Sequence, residues 1–197
     1  MPAEDILLRG AAVIDGTGAA PSPRTSVQIS VAAVSAEEAE ADARAASSPG
    51  LWAVDLPAGA TIVPGLIDLH VHSSFPSEQG VYLSHGVTSI RYAGIDLAAW
   101  RTIRDRVAAD DPPGPRQFNL GPMIDREPPS WPQWSTPISS PEEAARTAAH
   151  LLDDEHTDGL IAVQQLRPPD LRAVVETAHE RGKPVAGQLW WTSATEA

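Results

Sequence analysis

Apolar and polar positions follow two different rhythms along this chain. Between Asp5 and about Gly59, short apolar or β-branched runs at 6–8, 12–14, 27–34 and 52–56 are separated by clusters such as Gly16-Thr17-Gly18 and Pro21-Ser22-Pro23. Short runs punctuated in this way predict a small antiparallel sheet. The Ala- and Glu-rich stretch 35–50 reads either as a short helix or as a solvated loop.

After Thr61 the rhythm changes to strand-length apolar runs alternating with helical periodicity, the pattern of βαβ units around a parallel sheet. The predicted strands are 66–72, 87–93, 117–123, 160–165 and 185–190. Helix signals fall between them. Asp96 can cap a helix carrying Leu97, Trp100, Ile103 and Val107. Ser140-Pro141-Glu142-Glu143 combines an N-cap, a first-turn proline and a capping-box glutamate. After Pro168-Pro169-Asp170, residues Leu171, Val174, Val175 and Ala178 follow helical spacing, and Gly182 and Pro184 end the segment. The expected division is a sheet subdomain over 1–60 and a parallel α/β region over 61–197. Alternation alone does not choose between an open sheet and a closed barrel. Ser193-Ala194-Thr195-Glu196 has the form of another capping box just before Ala197. Since an eight-stranded barrel takes about 250 residues, the expectation is a fragment with about five of eight βα units.

Charge and composition narrow the partners. The 197 residues carry a formal net charge of −12. Nucleic acids and anionic membranes select clustered Lys and Arg, so neither is an expected partner. The first residues lack a basic start followed by an apolar run, and no stretch reaches the ~20 apolar residues of a membrane span, so the expected location is cytoplasmic. Cysteine is absent, which leaves His and carboxylates as the metal ligands available.

Chemistry concentrates in Thr61-Ile-Val-Pro-Gly-Leu-Ile-Asp-Leu-His-Val-His72. On a strand, residues two apart project to one side about 6 to 7 Å apart, so His70 and His72 can converge on one divalent ion, zinc above all. The C-terminal end of a parallel strand is also where α/β folds build their sites. The bland alternative is a hydrogen-bonded pair of barrel histidines. His150, His156 and His179 fall on or just after predicted helices and His85 just before the strand 87–93, where surface or packing roles are expected, and Asp68 reads as a structural hydrogen-bonding group.

Together with Val13-Ile-Asp-Gly-Thr-Gly18 and Gly86-Val-Thr-Ser-Ile-Arg91, this segment resembles the amidohydrolase superfamily, in its imidazolonepropionase-like and prolidase-like members. The resemblance implies the N-terminal part of a (β/α)₈ barrel with a β-sandwich subdomain, and hydrolysis of cyclic amide or peptide-like C–N bonds by metal-activated water. It implies that His70 and His72 bind the more buried metal. A fourth-strand Lys, often carboxylated, bridges two metals in that family, and later strands supply two His and an Asp that also serves as general base. Here the fourth-strand alignment puts Ala162 at the Lys position and Gln188 at the fifth-strand His position, both departures from the dinuclear pattern.

The loop 126–137 carries Trp131 and Trp134, which can wall a substrate site or simply pack the loop. Gln164, Gln188 and Trp190 are further candidates for contact with a neutral polar small-molecule substrate. Two functions follow as expectations: an amidohydrolase-like, metal-dependent hydrolase, or a non-catalytic relative that binds a small molecule or partner. In either case this chain alone is expected to be inactive, and an unpaired barrel edge invites self-association.

Overall fold

A computed structural model describes residues 5–29, 34–37, 51–193 and 195–196. The chain divides into two units, Met1–Pro64 and Gly65–Ala197.

The first unit is one sheet built on a long strand. β1 (Asp5–Val13) joins two runs that the sequence separates at Gly10, and there the ladder to its neighbour shifts register. β2 (Ser22–Ile29) and β3 (Val34–Glu37) add antiparallel strands on one edge. On the other edge β4 (Leu51–Asp55) and β5 (Thr61–Ile62) both run parallel to β1, so the sheet is mixed rather than purely antiparallel. Alternation reports which face a residue takes and is silent about strand direction, hence the difference. Leu7, Ala11 and Val27 form its buried face. Of the stretch 35–50, residues 35–37 belong to β3 rather than to a helix; the rest lies outside the described residues.

The second unit follows the βαβ rhythm. β6 (Leu66–Val71) leads through a short 3₁₀ turn (Pro76–Glu78) into α1 (Gln79–Ser84). Then come β7 (Val87–Tyr92), α2 (Leu97–Ala108), β8 (Arg116–Asn119), β9 (Met123–Arg126) and β10 (Ser135–Ile138). α3 (Pro141–Asp153), β11 (Leu160–Gln164), α4 (Pro168–His179) and β12 (Val185–Leu189) complete it. Every strand pairing in this unit is parallel, in the orders β6-β7-β8 and β10-β9-β11-β12. The helix starts match their signals: Asp96 accepts the Ala99 N–H at 2.9 Å, and Ser140 accepts the Glu143 N–H at 3.3 Å.

One predicted strand, 117–123, is broken. Pro122 has no N–H to give a ladder, and Gly121 sits at φ 72°, a left-handed conformation that suits glycine. The chain therefore steps from β8 to β9 across Leu120–Pro122, bridged by the Leu120 N–H to the Tyr92 carbonyl and the Asp158 N–H to the Asn119 carbonyl. The last three residues of the 126–137 loop open a strand, β10, laid parallel on β9.

Alternation along β11 divides the core into two layers. Leu160 and Ala162 pack with Ala144, Ala148, Leu171 and Val174 beneath α3 and α4. Ile161 and Val163 take the opposite face, with Ala93, Leu120 and Met123. Gly94 (φ 93°) permits this inner cluster, because a Cβ there would lie 2.5 Å from the Met123 side chain.

Candidate functional site

His70 and His72 stand at the C-terminal end of β6, where the ladder to β7 is irregular between Asp68 and Val71. Asp68 stabilises that irregularity by accepting the His70 N–H at 3.1 Å, and Arg91 Nε donates to the Leu69 carbonyl at 2.9 Å. The outcome is convergence: the two Nε2 atoms lie 3.2 Å apart, with ring centroids at 4.9 Å and planes 76° apart. Two nitrogens each about 2.1 Å from a tetrahedral zinc would be roughly 3.4 Å apart, so the pair has the spacing of two ligands of one ion. Burial pushes the His70 pKa below its ordinary value, with the neighbouring His72 and Arg91 adding to the effect and Asp68 opposing it. The neutral ring, the form that binds a metal, is favoured.

The segment leaving His72 is tied down by residues that sequence reasoning passed over. Glu78 accepts from Ser73 Oγ at 2.7 Å, from the Ser74 N–H at 3.1 Å and from the Phe75 N–H at 3.4 Å. Buried Gln79 donates to Ser73 Oγ at 2.9 Å and accepts at 3.3 Å from both the Tyr92 hydroxyl and Gln117 Nε2. The available signal was Pro76 at the first helical position with Glu78 two residues on: Phe75 is the N-cap, and Glu78 reaches back to its N–H. Burial pushes the Tyr92 hydroxyl up to about 12.

The fourth-strand alignment needs correction. Ala162 faces the helix layer, so it cannot mark the position of an inward Lys; the inward residues of β11 are Ile161 and Val163, both fully buried and apolar. Gln188 pairs with Val163 and so shares its face, while Gln164 pairs with Leu189, which packs against the helix-side core. The two glutamines are on opposite faces of the sheet. Trp131 packs against the inner cluster, and Trp134 is part-exposed, its carbonyl accepting the Met123 N–H at 2.8 Å. Trp190 is exposed beyond β12.

The other histidines have local partners or exposed positions. His85 Nδ1 is 2.9 Å from the Val81 carbonyl, and His150 Nδ1 is 2.7 Å from Asp154. His156 is in the left-handed region at φ 56°, and His179 ends α4. Among the described residues no group of three or more His, Asp or Glu is placed to hold a metal. Nor, among them, is any helix long and apolar enough to cross a membrane.

No family model matches the sequence, and no curated protein does. Solved structures do match. A prolidase complexed with N-methylphosphonate-L-proline superposes with TM-score 0.73 at 18% identity, over 93% of this chain and 55% of that one. An amidohydrolase gives TM-score 0.70 at 19% identity, over 93% and 55%. Molinate hydrolase gives 0.72 at 17% identity, over 95% and 54%. The chain spans about half the length of these structures. At such identities the likeness establishes architecture alone: over about half the length of those structures the chain shares their fold, parallel βα units preceded by a small sheet unit.

Proposed function

We propose that this chain is part of an amidohydrolase-type hydrolase that cleaves C–N bonds of cyclic amides or peptide-like substrates with water activated on a divalent metal, most readily zinc. The observation that carries the reading is the 3.2 Å approach of His70 Nε2 to His72 Nε2 at the C-terminal end of a parallel strand. Support also comes from the matched structures, which are those of a prolidase, an amidohydrolase and a molinate hydrolase.

His70 and His72 would hold the ion, Asp68 fixes the backbone turn that brings them together, and Glu78 anchors the segment that follows. A bound divalent ion supplies a water of pKa near ~7 and polarises the scissile carbonyl. A catalytic zinc takes three protein ligands as a rule, so this pair contributes two of them. Gln188 and Trp131, on the inner face, are the substrate-contact candidates that this geometry favours.

A second reading, a barrel that binds without hydrolysing, is favoured by one observation: Ile161 and Val163 make the inward side of β11 wholly apolar. Metal analysis of the purified protein separates the two. The hydrolase reading expects about one equivalent of divalent metal, lost in His70→Ala/His72→Ala with the circular dichroism unchanged. A protein that binds no zinc at micromolar supply would sink it, and turnover of any amide or lactam would sink the binding-only reading.

A further inference from the structure

Two buried carboxylates clamp the loops at the C-terminal ends of β9 and β11. Asp125, fully buried in β9, accepts the N–H of Ser130 at 2.7 Å, of Gln165 at 2.8 Å and of Arg126 at 2.9 Å. Asp170, in the first turn of α4 and 1% exposed, accepts from Arg126 Nη1 at 2.7 Å and from the Arg167 N–H at 3.2 Å. Arg126 Nη2 then reaches the Ser139 carbonyl at 2.7 Å. Burying charge is costly unless it is fully hydrogen-bonded, as these are, so the two loops are held in one arrangement.

Between them is a cavity of about 600 Å³ whose walls include Glu127, Gln165, Arg167 and Trp191. Three of its features point to a ligand. Trp191 is 67% exposed yet immobilised, its N–H on the Gln164 carbonyl at 3.2 Å and its Nε1 on Gln165 Oε1 at 2.6 Å, so a flat apolar wall is held facing solvent. Arg167, unlike Arg126, forms no ion pair among the described residues and presents a free guanidinium at the rim. Glu127 adds one negative wall. The start of α4 is not the anion donor, because Pro168 and Pro169 have no N–H.

The geometry points to a binding site for a small monocarboxylate with a flat apolar body, the carboxylate on the Arg167 guanidinium and the body against the Trp191 indole. A guanidinium fork pairs two oxygens of a planar carboxylate, and an indole supplies rigid apolar area. Glu127 disfavours a second negative charge, which sets a monocarboxylate apart from the dianion of phosphate.

Benzoate, its neutral isostere benzamide and inorganic phosphate test this by calorimetric titration of the 197-residue protein. Benzoate is expected to bind with Kd on the order of 1 mM and benzamide about tenfold more weakly, with phosphate weaker still. Arg167→Gln should erase the preference for benzoate over benzamide, Arg167→Lys should keep part of it, and Trp191→Ala should weaken both organic probes. Equal binding of benzoate and benzamide, binding of phosphate in preference to benzoate, or an Arg167→Gln protein that still prefers benzoate would each overturn the assignment, as would no binding by any probe. Arg167 is exposed, so these variants keep the fold that the titration needs.

Discussion

β11 and β6 are parallel strands of similar apolar composition that meet opposite surroundings. Leu160 to Val163 are all fully buried, with helices on one face and the inner cluster on the other. On β6, Leu66, Ile67 and Leu69 are 57%, 62% and 55% exposed, and only Val71 is buried. Strands of parallel sheets are written as near-continuous apolar runs because both faces expect cover. β6 has the text of such a strand and, among the described residues, one neighbour, β7. The difference teaches that an apolar run specifies an appetite for burial; the elements packed around it decide whether that appetite is met.

Truncating one leucine in each strand should expose the contrast most strongly. Leu160→Ala removes fully buried methyl groups beneath α3 and α4 and should cost about 2–5 kcal/mol in urea unfolding. Leu69→Ala, at a half-exposed position, should cost under about 1 kcal/mol. Similar losses at the two sites would mean that β6 is covered in solution.

The next effect concerns the polar network joining the β6 end to β7. Burial holds the Tyr92 pKa at about 12, above the ordinary tyrosine value near 10. A raised folded pKa means that the unfolded chain gives up this proton first. The associated stability is complete below about pH 10 and declines as pH rises toward 12, by about 3 kcal/mol in all. Tyr82, raised for the same reason, adds in the same direction. Tyr92→Phe should flatten much of that decline, since Phe has no proton to lose; an unchanged slope in denaturant midpoints between pH 9 and 12 would show that Tyr92 ionises freely.

How far all this is legible in the sequence depends on the range of the interactions involved. Asp96 and Ser140 cap helices through hydrogen bonds three residues away, so their roles are readable from local text. The His70-x-His72 spacing is equally local, and it does bring the two rings together. The break at Gly121-Pro122 was readable in principle but lies hidden inside an apolar run. The facing of Ala162 was not, because a one-residue slip reverses every side chain of a strand and only the packing of α3 and α4 settles it. Asp125 and Gln79 act through partners up to 40 and 38 residues away, beyond any local signal.

The smallest expected change in stability accompanies the most informative change in mass. Among the described residues, β6 and β12 each end a parallel ladder with one edge unpaired. The β6 edge of one copy can extend the β12 edge of another, and the exposed Ile67 and Leu69 would gain cover in doing so. We therefore expect this chain to self-associate, with light scattering reporting a mass above that of one copy. Lysine on an edge strand is a natural device against such pairing. Ile67→Lys/Leu69→Lys should return the mass toward one chain while shifting the unfolding free energy by only about 0.5 kcal/mol, because neither side chain gives up much burial within its own copy. A single-chain mass for the unsubstituted protein at every concentration would mean that the β6 surface is tolerated bare, and the contrast with β11 would then be one of exposure without consequence.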